Sequence, residues 1–65
     1  MIIDLDTERG KVVVRNAQAI LGIVNDLHLT PHEARIIAED LDSKGEHTVA
    51  AEGLRRAADQ AETRS

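Results

Sequence analysis

The sequence holds three histidines, and imidazole can act as a general base or a metal ligand near neutral pH. His28 and His32 are four apart, the spacing that sets two ligands on one helix face. Pro31 opens a new helix between them, so that geometry does not apply. His47 and Glu33 would have to converge on them in space, and the simpler reading is three histidines in solvent or at helix caps. Carboxylates are plentiful, among them Asp4, Asp6, Asp26, Glu39, Asp40 and Asp42. Acid–base catalysis needs two of them held apart in pKa within a cleft, and a short aliphatic chain has little room for one. They read as a solvated acidic face. Asp4-Leu5-Asp6 matches a fragment of a cation loop, lacks the rest of that motif and sits in a strand. Ser43, Ser65 and the threonines have no catalytic context, and the four glycines are isolated, so there is no phosphate loop. These residues predict no catalytic group, no cofactor and no metal site.

One constellation points elsewhere. In a strand, Lys11, Val13 and Arg15 share a face opposite Val12 and Val14. A two-stranded ribbon with basic residues on its outer face can enter the major groove of DNA. The strand, the helix after it and the segment Leu27-His28-Leu29-Thr30 leading into a second helix resemble a ribbon–helix–helix protein. The first helix is about a turn short for that family, His28 stands where the turn usually has glycine, and a hairpin precedes the strand. The plainer role for Lys11 and Arg15 is to keep a hairpin face soluble and blunt its edge.

Composition bounds what such elements can build. A chain of 65 residues makes one small domain, 1–65, and buries only about 60% of its unfolded surface. Such domains lean on disulfides, metals or partner subunits. No cysteine is present, which removes disulfides and thiolate sites. No aromatic residue is present either, so the core must be thin and aliphatic and association becomes the expected support. The net charge of −4, from 12 acidic and 8 basic residues, opposes a general grip on DNA or anionic membrane. Asp4 and Asp6 interrupt the N-terminus before a signal sequence could form, and no apolar run approaches a membrane span. A cytoplasmic protein is expected.

The elements follow from periodicity. Residues 2–15 predict a β-hairpin, with Ile3 and Leu5 on one face, Asp4 and Asp6 on the other, and Gly10 in left-handed conformation closing the turn. An isolated hairpin is marginal, so this one must pack on helices or pair with another chain. A first helix over 16–27 starts at the Asn16 N-cap and carries the stripe Ile20, Ile23, Val24 and Leu27, which makes it the most buried segment. A second over 31–43 has Thr30 as N-cap, Pro31 at its first position and a Thr30-x-x-Glu33 capping box, with Gly45 ending it. Its inward face is Ala34, Ile37, Ala38 and Leu41, while Ile36 lies off that face, either partly exposed or part of a second contact surface. A third helix over 48–62 has the stripe Ala50, Leu54, Ala57, Ala58 and Ala61, with Val49 and Gly53 beside it. Small residues let helix backbones approach closely, within the chain or across a dimer. Residues 63–65 are expected to fray.

The stretch Leu29-Thr30-Pro31-His32-Glu33-Ala34-Arg35, with Ile37-Ala38 and the later run from Leu54 to Glu62, is similar to short proteins of actinobacteria and their phages. These have an LTPxEAR segment and an alanine-rich C-terminal helix. The similarity spans residues 29–62, and an extra loop containing Gly45 separates pieces that run closer together in those proteins. The group is largely uncharacterised. It implies an origin, as a phage-encoded or accessory protein, and supplies no catalytic residues.

The expectation is an α+β domain, an N-terminal hairpin followed by three short helices, that acts by binding another protein and forms a homodimer. Its partner-binding candidates are Ile36, Ala50, Gly53 and Ala57. The alternative is a dimeric DNA-binding regulator reading its site with Lys11, Val13 and Arg15.

Overall fold

The computed structural model describes residues 1–64, the Arg64 side chain excepted. The fold is α+β, with the order β1 (Ile2–Asp6), β2 (Lys11–Arg15), α1 (Gln18–Leu21), β3 (Leu27–Leu29), α2 (Pro31–Ser43) and α3 (Thr48–Arg64). The strands form an antiparallel sheet in the order β1-β2-β3, and α2 and α3 pack together across it.

The hairpin forms as its residues predict. Ile2 pairs with Arg15 and Asp6 with Lys11 at the two ends of the register. The Arg9 N–H donates to Asp6 Oδ1 at 3.2 Å within the turn, and Gly10 takes φ 64°, the left-handed value that glycine reaches without strain. Val12 and Val14 are fully buried on the helix-facing side.

The predicted first helix is largely absent, and so is the burial expected of it. Asn16 is not the cap: it takes φ 58° itself, and the helix starts from Ala17 with no side-chain cap. It ends after four residues at Gly22, φ 70°, whose N–H bonds back to the Gln18 carbonyl. None of its four residues is buried and Val24 is 74% exposed, so the Ile20–Leu27 stripe never forms. Leu27–Leu29 instead pairs with β2, setting Leu29 opposite Val12 and Leu27 opposite Val14. The cause is tertiary. The second edge of β2 carries backbone donors and acceptors that need partners, and β3 satisfies them while burying Leu29.

The second helix has the predicted bounds and both halves of its capping box. Glu33 N–H donates to Thr30 Oγ1 at 3.1 Å, and Thr30 N–H donates to Glu33 Oε1 at 2.9 Å. Gly45, φ 69°, follows the helix end and its N–H reaches the Asp42 carbonyl. The third helix runs past the predicted end at Glu62 to Arg64, so Thr63 and Arg64 are helical where fraying was expected; Ser65 lies outside the described residues. Its buried stripe is Ala51, Leu54, Ala57, Ala58 and Ala61. Ala51 takes the place expected for Ala50, which is only half-buried.

Buried alanines on both helices let α2 and α3 approach closely, and Leu41 and Leu54 fill the space between helices and sheet. Arg35 of α2 holds Asp59 and Glu62 of α3, both at 2.8 Å, and Arg55 of α3 meets Asp42 near the other end of α2. Among the described residues no polar or charged side chain is buried, and no helix is long and apolar enough to cross a membrane.

Candidate interaction groove

Ala50, Gly53 and Ala57 recur at helical spacing on α3, and the face they make lies beside β1. Two depressions open there, of about 340 and about 440 Å³, and they meet at Ile3 and Gly53. The larger is lined by Met1, Ile3, Ile20, His47, Val49, Ala50 and Gly53. The smaller continues along Leu5 and Ala57 to a polar end at Asp4, Arg56 and Gln60. Together they form a groove between β1 and α3, with Ile20 of α1 lining its larger end.

Gly53 sets how closely the walls meet. A Cβ on it would stand 3.0 Å from Ile3 Cδ1, so a larger residue there requires the end of the Ile3 side chain to give way by a few tenths of an ångström. Ile3 and Leu5 turn toward the helices because alternation along β1 sends Ile2, Asp4 and Asp6 to the opposite face. At the open end Val49 is 82% exposed. His47 precedes α3 with φ 53°, a left-handed backbone that few residues other than glycine adopt.

Ile36, the fourth partner-binding candidate, is apart from the other three. It stands on α2, 53% exposed, and lines neither depression. The sequence reading missed Met1, Ile20 and Val49 as groove walls. Ile3 and Leu5 were legible as an inward pair, but their proximity to Gly53 joins positions about fifty residues apart.

The basic strand does not present a free ribbon. Val13 was expected to project with Lys11 and Arg15 from an open face; it is 5% exposed, outside the main core, with Asp4 on β1 and His28 on β3 beside it in register. Arg15 is engaged by Asp4 at 3.2 Å and Asp26 at 3.7 Å, and Lys11 stands opposite Asp6. This face of the sheet therefore alternates charge.

No family model, curated protein or solved structure matches this chain.

The electrostatics elsewhere are structural. Hydrogen bonds from Thr30, backbone first and hydroxyl second, hold the Glu33 carboxyl below its ordinary range. The Arg35 guanidinium hydrogen-bonds Glu62 and lowers that carboxyl, while Glu62 and Asp59 raise the pKa of Arg35. His28 is in β3, His32 in the first turn of α2 and His47 before α3. Among the described residues no group of three or more His, Asp or Glu side chains could hold a metal ion. With apolar walls and polar groups only at its ends, the groove is suited to binding.

Proposed function

We propose that this chain is a non-catalytic, cytoplasmic protein-binding module of regulatory type whose working surface is the groove between β1 and α3. The observation that carries this is the meeting of an open strand edge with exposed apolar walls. Val49 and the half-buried Met1, Ile3, Ile20 and Ala50 gather along one side of the domain. A partner seated there would bury the apolar surface that a thin aliphatic core leaves uncovered. DNA reading through Lys11, Val13 and Arg15 has weaker support, because Arg15 is taken up by two carboxylates and Val13 is covered.

The test is affinity capture from the native host with wild-type chain and with Val49→Lys as baits. Position 49 is exposed, so the substitution leaves the fold intact. The expected result is a protein retained by the wild type and lost with the variant. Identical recovery by both baits, or recovery of nuclease-sensitive DNA alone, would overturn the proposal.

A further inference from the structure

Among the described residues β1 is an edge strand, paired with β2 alone. The two depressions open along it between α3 and the sheet. At the other edge β3 is only three residues long and Leu29 is already buried. The groove thus runs beside the unpaired edge of β1.

We infer that the groove receives an extended segment of a partner protein that adds to β1 as a fourth strand, with apolar side chains alternating with lysine or arginine. This rests on the protein-binding reading above and specifies its partner. The chemistry follows from β1. Its inward residues Ile3 and Leu5 call for apolar neighbours over Gly53. Its outward residues Asp4 and Asp6 favour cations beside them, as on β2, where Lys11 stands opposite Asp6 and Arg15 bonds Asp4, and the Asp4 side chain stays 51% exposed to a second cation. A second copy suits the edge poorly. Antiparallel β1–β1 pairing centred on Asp4 sets Asp4 against Asp4, and centred on Leu5 it sets Asp4 against Asp6, like charges that destabilise cross-strand pairs; centred on Ile3 it avoids this by setting Asp4 against Ile2, but leaves Asp6 at the end of β1 outside the ladder.

The probe is a capped heptapeptide, Val-Lys-Val-Lys-Val-Lys-Val, titrated into the isotopically labelled full chain and followed by amide NMR, with Val-Glu-Val-Glu-Val-Glu-Val as its charge-reversed control. The lysine peptide should shift amides of residues 2–6 and 47–57. It should bind about tenfold more tightly than the control and about tenfold less tightly to Asp4→Asn/Asp6→Asn, whose changes lie on the exposed sheet face. Equal affinity for the two peptides, shifts centred on Ile36, or a micromolar dimer by sedimentation with β1 amides protected would each overturn the inference. Should neither peptide bind while Val49→Lys still strips a partner from the bait, the strand assignment falls and the protein-binding reading stands. If the peptides fail and that substitution strips nothing, both fall.

Discussion

Thr30 and Gly22 show how single side chains hold short elements in place. Thr30 caps α2 through its hydroxyl, which accepts from the Glu33 N–H. Thr30→Ala should cost about 1 kcal/mol in chemical denaturation, the usual value of a lost N-cap; an unchanged midpoint would mean that the box contributes nothing. Gly22 gives a test by sign. Inside a helix, glycine to alanine stabilises by about 1 kcal/mol. Gly22 has φ 70°, and nothing lies within 4 Å of where an added methyl group would stand, so the change meets backbone strain and no steric clash. Gly22→Ala should therefore destabilise by about 1 kcal/mol. A stabilised variant would restore the longer first helix.

Two surface carboxylates, Glu33 in the α2 cap and Glu62 in the pairing of α2 with α3, tie the stability of these helices to pH. Glu33 and Glu62 both hold protons less readily in the folded chain than at their ordinary value of 4.5. The unfolded chain then binds more protons below that value, so stability rises with pH through this range. Their contribution is complete above pH 4.5 and is lost as the pH falls through their lowered folded-state values. Urea midpoints should fall on acidification below about pH 4.5, and Glu33→Gln/Glu62→Gln should flatten that fall. An equal slope in wild type and variant would show that other groups control the acid response. Arg35 could not be matched to Asp59 and Glu62 from spacing, since 24 and 27 residues separate them.

In the domain as a whole α2 and α3 cover one face of a three-stranded sheet, and a groove opens where α3 meets β1. That groove supports both functional proposals, because a domain with apolar side chains uncovered on one side gains buried area from whatever fills it. Ile36 has no place in it because α2 lies over β2 and β3, and α3 over β1 and β2.

What the sequence determined by itself was local. The hairpin, its Gly10 turn and the Thr30 capping box were readable because alternation, left-handed glycine and side-chain caps act within a few residues. The alanine face of α3 was readable for the same reason, down to Ala57, Ala58 and Ala61. Residues 16–29 were decided by tertiary structure. Ile20, Ile23, Val24 and Leu27 have helical spacing, yet the open edge of β2 draws Leu27–Leu29 into the sheet, and long-range backbone pairing outweighs an amphipathic pattern broken by Gly22. The groove was half legible: Ala50, Gly53 and Ala57 share a helix face by spacing alone, whereas the strand that faces them lies at the far end of the chain and only folding brings it there.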